Sequence, residues 1–130
     1  MLNEQSLLEL LESLDINTDD FVILSSSALV LRGILETAND LDIAVTEKGL
    51  NDLSKKFNII PKEGHDTNSR WYIVNDKIEC VLDDMENKKQ KVGKYYLQDI
   101  KNYLSFIENS TREKDIKRVA LVKKYIEEEI

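Results

Sequence analysis

Two aspartates one residue apart, Asp40 and Asp42, stand in the stretch Asp40-Leu41-Asp42-Ile43-Ala44-Val45. Its period-two alternation of polar and apolar residues predicts a half-buried strand. Leu41, Ile43 and Val45 then face the core, and both carboxylates project from the opposite face. Like charges at that spacing repel, and a charged face forfeits burial, so a counter-charge is needed. A hard divalent cation such as Mg²⁺ or Mn²⁺ supplies it, because such ions take oxygen ligands and are held by one or two carboxylates together with substrate phosphates. The plain alternative is a sheet face open to water on which both carboxylates are simply solvated.

Ahead of the pair, the apolar run Phe21-Val22-Ile23-Leu24 leads into Ser25-Ser26-Ser27 and then into Ala28-Leu29-Val30-Leu31-Arg32. That order reads as strand, polar turn and short helix, with Gly33 at the helix C-terminus. Free N–H groups, the helix dipole and three hydroxyls at one turn make an arrangement that can hold a triphosphate beside a metal at Asp40 and Asp42. An ordinary serine N-cap accounts for the same residues without a ligand.

These residues need elements to position them. Leu7, Leu8, Leu11 and Leu14 predict an amphipathic helix from about Asn3 to Leu14. Thr46 caps a helix running through Leu50, Leu53 and Phe57, and Ile59-Ile60-Pro61 follows as a short strand. Arg70 to Val74 and Lys77 to Leu82, around Asn75-Asp76, predict a hairpin, so the sheet is expected to be mixed. Lys88-Lys89-Gln90-Lys91 with Lys94 reads as a solvated loop. Two helices follow at about 95–128, the second opened by a capping box at Ser110-Thr111-Arg112-Glu113. Trp71, Tyr72 and Ile73 read as core, and His65 as a solvent-exposed loop residue. The expectation is one α+β (α/β) domain over 1–130, a mixed sheet flanked by helices.

Composition narrows the functions. One cysteine, Cys80, and one histidine, His65, make neither a disulfide nor a zinc site. No apolar stretch approaches the ~20 residues of a membrane span, and the start lacks a signal-peptide pattern, so a cytoplasmic setting with no membrane partner is expected. A net charge of −7, from 25 acidic against 18 basic residues, disfavours broad binding to nucleic acid.

Leu24 to Gly33 followed by Asn39-Asp40-Leu41-Asp42-Ile43 resembles the signature of the DNA-polymerase-beta-type nucleotidyltransferase superfamily. Small bacterial members, such as abortive-infection toxins and antibiotic-modifying nucleotidyltransferases, are the nearest in pattern. The resemblance implies a nucleotidyltransferase-like sheet in which Asp40 and Asp42 bind Mg²⁺ or Mn²⁺. It implies a third carboxylate from a later strand, best matched by Glu79, with Asp83 and Asp84 as competitors, which together with Asp40 and Asp42 would hold a second metal ion that activates the acceptor hydroxyl. It further implies that Ser25, Ser26, Ser27, Arg32 and Lys114 face the nucleotide. The activity implied is transfer of a nucleoside monophosphate from an NTP to a hydroxyl acceptor that the sequence does not name. The family prefers glycine where Ser25 and Ser26 stand, which also admits a degenerate domain that binds a nucleotide or a protein without chemistry. Because many members append a helical domain for the acceptor, a second copy or a protein partner is expected to complete that site.

Overall fold

Asn3 opens the first helix by accepting the Ser6 N–H at 2.9 Å, and α1 (Glu4–Leu14) ends at a left-handed Asp15. Leu7, Leu11 and Leu14 are buried, whereas Leu8, expected on the same face, is 37% exposed. The computed structural model describes residues 1–62 and 70–128, so His65 lies outside the described residues. A 3-10 turn at Thr18–Asp20 leads into β1 (Phe21–Ile23), α2 (Ser25–Leu31) and β2 (Leu41–Val45). Then follow α3 (Glu47–Ser54), β3 (Ile60–Pro61), β4 (Trp71–Ile73) and β5 (Ile78–Leu82). The chain closes with β6 (Lys89–Val92), β7 (Tyr95–Gln98), α4 (Ile100–Ile107) and α5 (Glu113–Glu128).

The seven strands form one sheet in the order β3-β4-β5-β2-β1-β7-β6. Its centre pairs β1 antiparallel to β2, β2 parallel to β5 and β1 parallel to β7, and its outer pairs are antiparallel. The fold is therefore α+β with a mixed sheet and two C-terminal helices, as expected. Alternation in β2 and β5 sends Leu41, Ile43, Val45, Ile78 and Cys80 into a core shared with α1. Each such aliphatic side chain contributes roughly 1.5–3 kcal/mol by burial. The opposite face carries Val22, Ala44, Val81, Trp71 and Tyr96, joined by Leu24 and Met85. Helices α4 and α5 pack on each other and on α2 through Leu29, Tyr103, Ile107 and Val122. No helix of the described residues is long and apolar enough to cross a membrane.

Two expectations about the second half are corrected. The lysine-rich stretch is a strand rather than a solvated loop, and the helix expected from Tyr95 begins only at Ile100. Gly93, at φ +64, makes the turn between β6 and β7. Tyr95 and Leu97 point into the core while Tyr96 meets the Lys89 and Lys91 ammoniums at 4.8 and 5.6 Å, so period two governs here. A vacant parallel position beside β1 favours Tyr95–Gln98 as a strand, and Asp99 starts α4 by accepting the Asn102 N–H at 3.2 Å. The expected capping box is also rearranged. Ser110 Oγ accepts from Arg112 N at 3.2 Å and donates to Asp115 Oδ2 at 2.7 Å, and Glu113 pairs with Lys117 instead.

Candidate active site

Parallel pairing of β2 with β5 sets Asp42 directly across from Glu79. Both lie on the face that carries Ala44 and Val81, away from the α1 core. Asp40 sits just before β2 and is exposed. Burial pushes the Asp42 carboxyl from its ordinary 3.8 up to about 6, reinforced by the negative charges of Glu79 and then Asp40 and opposed by Lys62 and Lys114. Three carboxylates and two ammoniums thus share one electrostatic neighbourhood.

Within it, Glu79 is already engaged. The Lys62 ammonium hydrogen-bonds both of its carboxylate oxygens, at 2.9 Å to Oε2, in a partly buried pair. Among the described residues, no three His, Cys, Asp or Glu side chains are gathered closely enough to hold a metal by themselves. Asp40 and Asp42, the pair expected from the sequence, would need further ligands such as phosphate oxygens to complete the shell of a divalent ion. Of the competitors for the third carboxylate, Asp83 lines the cleft described below, and Asp84 opens on a different depression beside Asp20.

The three serines form the first turn of α2 rather than a turn ahead of it, and Leu24 occupies the cap position without a side-chain bond. Ser25 has φ +51, the left-handed region that favours glycine. Its N–H donates to Gln98 Oε1 at 3.1 Å, and Gln98 Nε2 donates to Asn102 Oδ1 at 2.8 Å. Ser27 is buried, and its hydroxyl donates to the Asp40 carbonyl at 2.8 Å while accepting the Asp42 N–H at 3.3 Å. That clamp fixes the start of β2 against α2, so Ser27 positions the aspartates. Its hydroxyl is committed to the backbone. Ser26 is half-buried next to Ser25.

A cleft of about 520 Å³ opens over this face, a size suited to a nucleotide-sized ligand. Ser25, Asp42 and Asp83 line it, as do Arg112, just ahead of α5, and Lys114 and Arg118 of α5. Trp71, Tyr103 and Phe106 add aromatic surface, and Phe106 is 71% exposed. Lys114 is thereby brought to Asp42 across a gap of many residues in sequence. Arg32 is not brought there. Its guanidinium donates to Gln90 Oε1 at 3.1 Å and the Gln98 carbonyl at 3.2 Å, and it borders a separate depression with Lys101 and Tyr125. Arg32 braces β6 and β7 against α2.

Sequence reading missed Gln98, Arg118 and Lys62 as members of this neighbourhood. Gln98 ends an apolar strand that was read as a helix, and recognising β7 would have marked it. Arg118 follows Lys114 by one helical turn, a spacing that was available. Lys62 carries no local signal, because its partner Glu79 is set by sheet order alone.

The fold is similar to that in the crystal structure of JHP933 from Helicobacter pylori, with a TM-score of 0.60 at 17% sequence identity. The match covers 98% of this chain and 68% of that one, and at this identity it concerns the fold alone. No family model and no curated protein matches the chain.

Proposed function

We propose that this chain is a metal-dependent nucleotidyltransferase that moves a nucleoside monophosphate from an NTP to a hydroxyl acceptor. The observation that carries this reading is the register of β2 against β5. It sets the half-buried, proton-attracting Asp42, which lines a cleft together with Lys114, across from Glu79. A purely structural carboxylate gains nothing from burial among like charges, and perturbed groups in clefts mark functional sites.

In this reading Asp40 and Asp42 hold one divalent ion, Mg²⁺ or Mn²⁺, which supplies charge neutralisation at the phosphates when bound. Ser25 and Ser26 border the phosphates at the start of α2. Lys114, aided by Arg118, offsets the charge that builds on the departing pyrophosphate. The acceptor hydroxyl oxygen bonds to the α-phosphorus as the bond to the pyrophosphate oxygen breaks, and the hydroxyl proton leaves with the basic pyrophosphate. Walls from α4 and α5 hold the two reactants together and limit water, so the residues act mainly by positioning.

Calorimetric titration with each NTP in Mg²⁺ or Mn²⁺, for the wild type and the Asp40→Asn/Asp42→Asn double variant, tests the proposal. Metal-dependent binding that the variant loses supports it. Equal binding by both proteins, or by neither, sinks it. A second reading, a domain that keeps the fold without chemistry, draws support from the serine in left-handed backbone at position 25. It predicts nucleotide binding that is indifferent to the metal.

A further inference from the structure

The resemblance drawn from the sequence implies a third carboxylate that shares a second metal ion, and the geometry around Glu79 disagrees with that. We propose that Lys62 stands in for the second ion, so that the site takes one divalent cation and one tethered ammonium. The inference rests on the reading of Asp40 and Asp42 as a metal site. It departs from that reading in the number of ions and in giving Lys62 a positioning role.

Lys62 directly follows β3, and its N–H donates to the Trp71 carbonyl at 2.9 Å, which anchors its backbone to β4. Antiparallel pairing of β3 with β4 and of β4 with β5 puts Lys62, Trp71 and Val81 in one row, two residues along β5 from Glu79. The side chain must therefore cross β4, a span of about 10 Å between the outer strands that an extended lysine and a glutamate can bridge. Having crossed, the ammonium meets both oxygens of Glu79, with the two side chains 33% and 19% exposed. A lysine that merely needed solvent had an open edge strand available: Ile60 of β3 is 49% exposed. Lys62 instead lies inward, over the carboxylate that neighbours Asp42.

A second ion at Glu79 would have to displace an ammonium already bonded to both carboxylate oxygens.

The test counts ions with Mn²⁺ as the probe, reading free Mn²⁺ by electron paramagnetic resonance against the full chain at pH 7.5. The wild type and Lys62→Arg are expected to bind one Mn²⁺ each, and Lys62→Met two. Glu79→Gln is expected to remain at one, with affinity changed less than about threefold, because Glu79 is not a ligand of that ion. Two ions on the wild type, or one on Lys62→Met, would overturn the role of Lys62 and leave the nucleotidyltransferase proposal intact. No ion on any of the four would overturn both. Thermal melts of all four confirm folding, and the wild-type count alone decides the matter if Lys62→Met does not fold.

Discussion

Replacing Asp42 with asparagine should stabilise the protein while removing metal binding. Above about pH 7 the native state carries Asp42 as a half-buried anion, and its carboxyl is pushed from 3.8 up to about 6 by desolvation and then by Glu79 and Asp40. The native state thus holds this proton more tightly than the unfolded chain does. Below pH 3.8 the group is neutral in both states and costs nothing. As pH rises from 3.8 through 6, the unfolded chain releases the proton first, and stability is lost. The accumulated penalty is about 3 kcal/mol above pH 7, roughly half of that at pH 5, and nearly gone at pH 4. Asparagine keeps the shape without the charge, and imperfect hydrogen bonding makes a gain of about 1–3 kcal/mol realistic at neutral pH. For 130 residues, the usual unfolding entropy makes 1 kcal/mol worth about 4 °C, so Tm should rise by about 4–11 °C. The assay is thermal unfolding of both proteins in chelator-treated buffer from pH 4 to pH 8. The gap should widen with pH and level off above pH 7. A gap that is flat with pH, or a destabilised variant at pH 7.5, would refute the picture of Asp42 as an under-compensated, half-buried anion.

Two further substitutions test the supports of the site. Ser25→Gly removes a left-handed serine at φ +51, and it should stabilise the fold by roughly 0.5–1 kcal/mol after glycine's extra unfolded-state entropy. Denaturant melts would show a raised midpoint at unchanged slope. Gly49→Ala should do the reverse, because a Cβ there would lie 2.8 Å from the Asp20 carbonyl oxygen at the start of α3. Backbone cannot yield cheaply, so a loss of about 1–3 kcal/mol is expected, read as a lowered melting midpoint.

Several features of the fold were legible in the chain. Period-two patterning marked β2 and β5, and it sent Asp42 and Glu79 away from the core because successive side chains alternate across any strand. Helical spacing of leucines marked α1, Asn75 marked the turn of the β4–β5 hairpin, where its Oδ1 accepts from Lys77 N at 2.9 Å, and Gly33 marked the end of α2 at φ +80. Those signals are local: each is a property of a few consecutive residues and survives without knowledge of the rest. Tyr95–Gln98 shows the limit, since tyrosines and a leucine at that spacing satisfy either period, and only the open parallel place beside β1 selects the strand.

What the sequence determined by itself was the set of chemical groups and the faces on which they lie. The tertiary structure decided which faces meet. Strand order brought Glu79 beside Asp42 and carried Lys62 across β4 to it, and the return of α5 over the sheet put Lys114 at the same cleft. It also placed Arg32 outside this cleft, with Nη2 bonded to Gln90 and to the Gln98 carbonyl, and tied the Ser27 hydroxyl to the backbone of Asp40 and Asp42. Coulomb interactions and hydrogen bonds depend on separation in space, and separation between groups far apart in the chain is fixed only when the sheet closes its register.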